Sequence, residues 1–375
     1  MVTLWPFSII IIFAAKVSSH TSTGITDHFL SYSLPLSEED WRQSLPSKLR
    51  DNKGAPLHRL VARSQAGNET VTIYLLGTSH VSRTSCLDAE LLMEHVRPDC
   101  LFVELCSQRV GLMLPQPETI HDDGDETRTQ IKQHVMPSLS ANMFAKIQND
   151  YASKLNVTIG GEFKTAFRSA LRQQREFWNS RQQYQIKANN DIGHPRANRP
   201  CAIVLGDRPV RITLVRAWES LRFFGKMKLV LALLWSSIKQ PSENELLEWM
   251  ESVLNDRTGN NDLMRKAMNE MAKSFPSLKR VIIDERDDFM VAKLKQTAEL
   301  LAYSSNNHGE RVLVAVIGAA HCNGVMEKLL DTTLSQRPEE IFPTITRTKR
   351  TADDDFEGSE VVLFDYAYAI ETGMI

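Results

Sequence analysis

The stretch VTIYLLGTSH, residues 71–80, decides the fold because an apolar run rich in β-branched and aromatic residues leads into a glycine and a histidine. The run predicts a strand that ends at Gly77. A helix-like pattern follows and ends at Pro98, and residues 101–103 then predict a second, buried strand that closes at Glu104. Strand, helix and strand within about 35 residues predict a βαβ unit, whose two strands are parallel.

The same pattern recurs as VLVAVIGAAH, residues 312–321, the most strongly strand-like run in the chain. Ligands of parallel α/β sheets bind at the carboxyl ends of the strands. A glycine there permits a sharp turn and a close approach of a ligand. The two Gly-x-x-His motifs therefore predict that His80 and His321 reach into one crevice. The alternative is that both histidines only bond to loop backbone.

Further polar residues close or follow the predicted strands, and we expect them in the same crevice. Two histidines and one or two carboxylates can bind a divalent metal ion and leave a position open for water, while an arginine can stabilise a developing oxyanion. The expected metal ligands are His80, His321 and Glu162. The expected catalytic residues are Glu104, Arg208, Glu285 and Arg286. The alternative for the Glu and Arg set is a structural ion-pair network.

Composition restricts the function classes. A chain of 375 residues with 42% hydrophobic and 24% charged residues is ordinary globular protein, either one large domain or two smaller ones. The net charge of −2 argues against nucleic acid as a partner. Five cysteines without a C-x-x-C pair predict neither a disulfide framework nor a thiolate zinc site. Cys106 and Cys322 lie near Glu104 and His321, but we expect buried thiols rather than nucleophiles.

The helices that follow the third predicted strand, residues 202–205, are less sharply defined. Residues 212–238 predict a long helical region, whose least charged part, residues 229–238, is far shorter than the ~20 residues that span a bilayer. We expect a core helix there rather than a membrane contact. Residues 278–301 contain a helix that bears Glu285 and Arg286.

The two ends of the chain carry separate signals. Residues 1–19 resemble a secretory signal peptide with cleavage before His20, the alternative being a short membrane-anchoring segment. Residues 20–60 are polar and predict a leader, and residues 336–375 form a weakly patterned tail. A secretory route would make Asn68 and Asn156 glycosylation acceptors and residues 347–350 a basic cleavage site; each could also be a chance match.

Seven short motifs together resemble the TraB/PrgY family, specifically its eukaryotic branch, and they occur in the family's order over about residues 71–330. They are Gly77-Thr-Ser-His80-Val-Ser82, Arg97-Pro-Asp99, Val103-Glu-Leu-Cys106-Ser-Gln-Arg109, Gly160-Gly-Glu-Phe163, Leu205-Gly-Asp-Arg-Pro209, Glu285-Arg-Asp287 and Gly318-Ala-Ala-His321. The resemblance implies a domain over residues 61–335. It also implies an α/β fold shared with the Tiki metalloproteases and with the erythromycin esterase-like and ChaN-like proteins: a mainly parallel sheet flanked by helices, with helical insertions.

The resemblance also implies a function. In that wider group the paired Gly-x-x-His motifs and the strand-end glutamate are proposed to form a metal or hydrolytic centre. Carried over, this indicates His80, Glu104 and His321 first, then Glu162, Arg208, Glu285 and Arg286. The leading expectation is metal-dependent hydrolysis of a peptide or amide bond in a peptide or protein substrate. The alternative is a non-enzymatic binding, tethering or regulatory protein that retains the fold.

The cellular location of the protein follows less directly from the resemblance. Eukaryotic members associate with membranes, mitochondria among them, through C-terminal hydrophobic segments. No stretch of 18 apolar residues follows residue 330, whereas the N-terminus is hydrophobic. We therefore expect a secreted or lumenal form if residues 1–19 are a signal peptide. Otherwise we expect an intracellular protein associated with a mitochondrial or endoplasmic reticulum membrane.

Overall fold

The computed structural model describes residues 30–35, 37–50, 56–64, 69–78, 83–106, 109, 160–184, 199–238, 270, 272–303 and 310–331. Several predictions fall outside these residues: His80, the signal peptide, both glycosylation acceptors, the basic cleavage site and the C-terminal tail. The strands are β1 (Leu30–Ser33), β2 (Leu57–Ser64), β3 (Thr70–Thr78), β4 (Cys100–Val103), β5 (Ala202–Leu205) and β6 (Arg311–Gly318).

The helices lie between and after these strands. They are α1 (Glu38–Gln43), α2 (Ser47–Arg50), α3 (Arg83–Val96), α4 (Gly161–Tyr184), α5 (Val210–Ser220), α6 (Phe223–Ile238), α7 (Pro276–Lys279), α8 (Glu285–Tyr303) and α9 (Ala319–Leu330), with a π-helical turn, Arg280–Asp284, between α7 and α8. No helix within the described part of the chain has the length and apolar character that crossing a bilayer requires.

The six strands form one mixed sheet in the order β1-β2-β3-β6-β4-β5. The β3, β6, β4 and β5 strands are mutually parallel, whereas β1 and β2 add to β3 in antiparallel fashion. The α/β class with parallel strands flanked by helices is thereby confirmed. The βαβ unit also exists, but β6 lies between its two strands.

Helices cover both faces of the sheet, which explains why β6 reads as an uninterrupted apolar run. Its residues Val312, Val314 and Val316 face a core built with α3 and α4, while Leu313, Ala315 and Ile317 face a second core built with α8 and α9. Strand β4 alternates in the same way. The sheet is therefore a buried, rigid platform, and its parallel strands present their carboxyl ends along one edge.

The structure corrects or refines the predictions for three segments. The predicted polar leader contributes strand β1 and two short helices, whose residues Leu30, Trp41 and Leu49 are buried. In this polar segment the apolar residues are too few to show the regular spacing that predicts a strand or a helix. The helical region predicted over residues 212–238 consists of two helices, α5 and α6. Val230 and Leu231, which belong to the stretch predicted as core, are exposed. The helix predicted within residues 278–301 is present as α8 and is preceded by the π-helical turn.

Gly77 has a packing role at the carboxyl end of β3. A side chain there would place its Cβ 2.4 Å from Cγ of Pro56 and 3.2 Å from both Cα of Ala319 and Cβ of Cys322. The glycine therefore allows β3 to lie against the first turn of α9. Because Thr78 is paired with Gly318, the two Gly-x-x-His motifs leave adjacent parallel strands at the same level of the sheet.

Candidate functional site

Five charged or titratable side chains meet at the carboxyl edge of the parallel strands, and we call them the carboxyl-edge cluster. Each member is supplied by a strand end or by the first turn of a helix that begins there. The members are Glu104 after β4, Asp207 after β5, Arg286 and Asp287 on α8, and His321 on α9. Arg286 is 14% exposed and the other four side chains 5% or less.

Arg286 is the centre of the carboxyl-edge cluster. Its Nε donates to Oδ1 of Asp207 at 3.0 Å and its Nη2 donates to Oδ2 at 2.9 Å, which is the bidentate geometry that suits a guanidinium. Nη2 also donates to Oε1 of Glu104, and Nη1 lies 3.0 Å from Nε2 of His321. Burial alone would lower the pKa of Arg286, but the charges of Asp207 and Glu104 outweigh it and raise that pKa. The guanidinium therefore stays charged.

Glu104 links the cluster to the sheet. Its backbone N–H donates to the carbonyl of Val316 at 3.1 Å. Its Oε2 accepts the backbone N–H of Gly318 at 2.6 Å, so the glycine of the second motif holds the carboxylate in place. The other oxygen, Oε1, lies 3.5 Å from Nε2 of His321. The strand end thus fixes both oxygens of Glu104 with respect to the histidine.

The tautomer of His321 follows from its two neighbours. Nδ1 lies 2.6 Å from Oδ1 of Asp287, and Nε2 faces Arg286. Because a guanidinium can only donate, Nε2 accepts, and the ring proton lies on Nδ1 and is donated to Asp287. Burial raises the pKa of Asp287, an effect that the hydrogen bond to His321 partly offsets. The lone pair of Nε2 is consequently directed toward Arg286.

A second ion-pair cluster adjoins the first and contains two of the predicted catalytic residues, Arg208 and Glu285. Arg208 is fully buried and donates to Glu285 at 2.8 Å, to the hydroxyl of Thr213 at 3.1 Å and to the carbonyl of Val281 in the π-helical turn at 2.9 Å. Arg216 donates to both oxygens of Glu285, at 2.8 and 2.9 Å. Glu285 and Arg286 thus belong to different clusters, although they are neighbours in the chain.

Arg208 and Glu285 shift each other's pKa. Burial lowers the pKa of Arg208, although its bonds to Glu285 act in the opposite direction. Burial would raise the pKa of Glu285, but hydrogen bonds from Arg216 and Arg208 outweigh it, so that this pKa is lowered. A lowered carboxyl pKa means that Glu285 stabilises the folded state above its unfolded pKa of about 4.3 and loses this contribution as the pH falls.

We therefore expect Glu285→Gln to make the free energy of unfolding depend less on pH in the acidic range. The free energy of unfolding of the unsubstituted protein should fall as the pH drops below about 5, with Glu285 accounting for at most about 1.4 kcal/mol per pH unit. The variant should be less stable at pH 7 and should change less with pH. Urea titrations across this range test the expectation, which fails if the two pH slopes are equal.

Glu162, one of the predicted metal ligands, opens α4 and is fully buried. It lies near the thiol of Cys86 on α3, where burial first and the charge of Glu162 second raise the pKa of that thiol. The described residues contain no group of three His, Cys, Asp or Glu side chains arranged to hold one metal ion. The predicted ligand set includes His80, which lies outside the described residues, so the divalent metal remains a prediction.

The structure adds residues that sequence reasoning did not assign to the site. Asp287 orients His321, and its only signal was its place in the Glu285-Arg-Asp287 motif. Arg109, which is part of another motif, donates to Asp207 at 2.5 Å. The two cysteines expected to be buried are buried, and burial raises the pKa of Cys322 to about 12. A thiol with so high a pKa is a poor nucleophile at neutral pH.

Gly324 gives Asp287 the space to reach His321. A Cβ at position 324 would lie 2.2 Å from Oδ2 of Asp287. We expect Gly324→Ala to displace the carboxylate and to lower the free energy of unfolding by about 1–3 kcal/mol, although Gly→Ala within a helix normally stabilises. Gly225→Ala in α6 is the matched control, since its Cβ would meet only Leu221 side-chain atoms, at 3.2 Å and beyond. Equal gains of stability in both variants would contradict the packing argument.

Comparison with known proteins places the chain in a family. The model of the TraB/PrgY/gumN family matches residues 62–332. The chain is 28% identical to a TraB domain-containing protein of Mus musculus over 304 residues, which is 78% of this chain and 71% of the relative. It is 29% identical to the Bos taurus TraB domain-containing protein, with 68% of this chain and 61% of the relative covered.

A more distant organism supplies a third match. An uncharacterized protein of Methanocaldococcus jannaschii is 28% identical over 262 residues, which is 68% of this chain and 53% of the relative. The family match includes all four parallel strands and every member of the carboxyl-edge cluster. It confirms the resemblance that the seven sequence motifs indicate. The chain therefore belongs to the TraB/PrgY/gumN family.

Proposed function

We propose that this chain is a metal-dependent hydrolase that cleaves a peptide or amide bond at the carboxyl-edge cluster. The observation that carries the proposal is the arrangement of His321. Its Nδ1–H is held by Asp287, while Nε2 accepts from Arg286 and lies 3.5 Å from Oε1 of Glu104. A neutral imidazole oriented by a carboxylate is the form that serves as a metal ligand or as a proton acceptor. Each member comes from a buried strand end or helix start, so the arrangement is rigid.

His321 meets the requirements of a metal ligand. Metal-binding histidines usually donate their second ring N–H to a carboxylate, as His321 does to Asp287. His80 follows β3 two residues after Thr78, the residue paired with Gly318, and Glu162 would complete the predicted set. A divalent ion would lower the pKa of a bound water and polarise the substrate carbonyl. Binding at Nε2 would require Arg286 to leave that nitrogen, because one lone pair cannot serve both.

Glu104 and Arg286 would perform the proton transfer and the charge stabilisation. Glu104 would accept a proton from the attacking water through Oε1, while its Oε2 stays bound to the N–H of Gly318. The water oxygen then bonds to the carbonyl carbon, the C–N bond breaks, and the proton passes to the leaving amine. Arg286 has the donors to stabilise the negative charge on the carbonyl oxygen. Arg208 and Glu285, held in their own cluster, would position the start of α8.

One observation favours the non-enzymatic alternative. Nε, Nη1 and Nη2 of Arg286 all have hydrogen-bond partners in the protein. A fully bonded, largely buried cation is also what a purely structural network contains. In that case the protein would be a binding, tethering or regulatory member of the family, and the carboxyl-edge cluster would only tie α8 and α9 to the sheet.

Metal content and peptide cleavage, measured on the same preparations, test the proposal. The full chain would be analysed for bound metal beside Asp287→Asn and His321→Ala, and then incubated with a peptide mixture digested from a proteome, with and without a chelator. We expect the unsubstituted chain to bind one ion and to cleave peptides in a reaction that a chelator inhibits. His321→Ala should lose the ion. Asp287→Asn should lower the metal affinity or the activity about 10–100-fold. Folded protein with neither bound metal nor cleavage would reject the proposal in favour of the non-enzymatic alternative.

A further inference from the structure

The first turns of α6 expose apolar side chains along one side of the helix. At about 100° per residue these side chains fall within roughly a 120° arc. Phe223, Phe224 and Leu231 are 71%, 83% and 60% exposed. The complete set, which we call the α6 apolar face, is Phe223, Phe224, Met227, Val230 and Leu231. A stripe of this width normally lies against a protein core.

The opposite side of α6 is the one that packs against the protein. Leu229 packs on a small core formed by residues of α5, α7 and the π-helical turn. A Cβ at Gly225 would contact Leu221, which belongs to the same core. The helix is therefore held by its Gly225 and Leu229 side, and the α6 apolar face is turned outward. Helix α5 adds Trp218 beside it, 47% exposed, with the ammonium of Lys226 5.1 Å from its ring centroid.

Both charged residues of α6 are lysines. On the helical wheel Lys226 lies on one side of the arc and Lys228 on the other, each about 40° beyond its border. Arg222 immediately precedes the helix, and the sequence of α6 contains no Asp or Glu. Lysines that flank an apolar stripe keep their charges at the aqueous boundary while their stems cover apolar surface. Exposed Phe and Trp are also typical of the region where a helix meets a membrane.

We propose that the α6 apolar face docks on the surface of a bilayer that contains anionic phospholipid, with Phe223 and Phe224 inserted among the acyl chains. Lys226 and Lys228 would then lie at the level of the headgroup phosphates, where cations are attracted to an anionic surface. The charges of α6 favour this surface over a protein groove, because its two charged residues, one beyond each border of the face, are both lysines. Helix α5, which begins two residues after Arg208, connects the docked face to the strand end that bears Asp207.

Vesicle sedimentation of the full chain tests this proposal independently of any hydrolase activity. Vesicles of phosphatidylcholine alone and of phosphatidylcholine mixed with phosphatidylserine would be compared at low and high salt. We expect binding to the mixed vesicles, and roughly tenfold or greater weakening in the double variant Phe223→Ser, Phe224→Ser. The matched control is Leu300→Ser, Tyr303→Ser on α8, which removes two exposed apolar side chains and should bind normally.

A charge variant separates the electrostatic contribution from the apolar one. Lys226→Gln with Lys228→Gln should reduce the preference for phosphatidylserine and its sensitivity to salt. Thermal melting of every variant shows whether the fold is retained. The proposal is overturned if the full chain does not bind the mixed vesicles, or if the serine variant of α6 binds as well as the control. It is also overturned if that variant abolishes a concentration-dependent self-association instead, because the face would then be a contact between copies of the chain.

Discussion

Arg286→Ala should lower the free energy of unfolding by about 3–5 kcal/mol, the largest stability effect that we expect in this protein. The substitution leaves Glu104 and Asp207 buried, and it removes the cation that contacts both. Asp207 keeps its bond from Arg109, whereas water can solvate Glu104 only by entering the core, so the charge of Glu104 is the more costly one in this variant. The variant should therefore recover part of its stability at low pH, where carboxylates are protonated in both states.

The matched control for this prediction is Arg172→Ala. Arg172 on α4 is paired with Glu94 at 2.6 Å, but its side chain is 44% exposed and that of Glu94 49%. Exposed pairs of this kind contribute about 0–1 kcal/mol. Urea unfolding of the two variants compares a buried guanidinium with an exposed one. Similar losses in both would contradict the view that Arg286 holds the carboxyl-edge cluster together.

Local sequence patterns could predict most of the sheet. The apolar runs of β3 and β6 are long, and both faces of these strands are covered, so an uninterrupted apolar stretch is a reliable signal there. The order of the strands in the sheet could not be predicted from local patterns. The insertion of β6 between β3 and β4 depends on contacts between residues more than 200 positions apart, such as Gly77 with Ile317. Strands β1 and β2 were both missed. An edge strand of four residues such as β1 has too few apolar positions to show alternation.

The site was partly predictable because parallel strands bring their carboxyl ends to one edge. That rule places Glu104 and His321 together whatever the details of the helices. It does not determine the direction of side chains on α8, which depends on how the helix packs and on the π-helical turn that precedes it. Glu285 and Arg286 consequently could not be assigned to separate clusters from sequence. The bond between Asp287 and His321 was also unpredictable, since it requires the space left by Gly324 on another helix.

The exposed apolar side chains of α6 show another property that the spacing of apolar residues does not predict. The spacing of apolar residues predicts a core helix, because in most globular proteins such a stripe is buried. Over the first turns of α6, whose side chains the structure describes, the packed side carries Gly225 and Leu229, and the wider apolar side is exposed. Periodicity reports that a helix has an apolar face; it does not report what covers that face. Burial had to be observed before the exposed side could be distinguished from the packed one.

Glu104→Gln should reduce peptide hydrolysis by about 10²–10⁴-fold if Glu104 accepts the proton from the attacking water. The amide keeps the size of the side chain but is too weakly basic for this step. The amide oxygen of the glutamine can still accept the N–H of Gly318. Its NH₂ group then faces Arg286, so that two hydrogen-bond donors oppose each other. A moderate loss of stability should therefore accompany the loss of activity, and initial rates must be measured on protein shown to be folded.

Asp207→Asn is the matched control for Glu104→Gln, because Asp207 is the other carboxylate bound to Arg286 and is equally buried. It accepts from Arg109, Arg286 and the N–H of Arg208, so its substitution should destabilise the cluster at least as much. Only Glu104, however, has an oxygen 3.5 Å from Nε2 of His321. In a hydrolase, Glu104→Gln should thus lose far more activity than Asp207→Asn at similar stability. Equal activity losses that follow stability would indicate that Glu104 holds the structure together and transfers no proton.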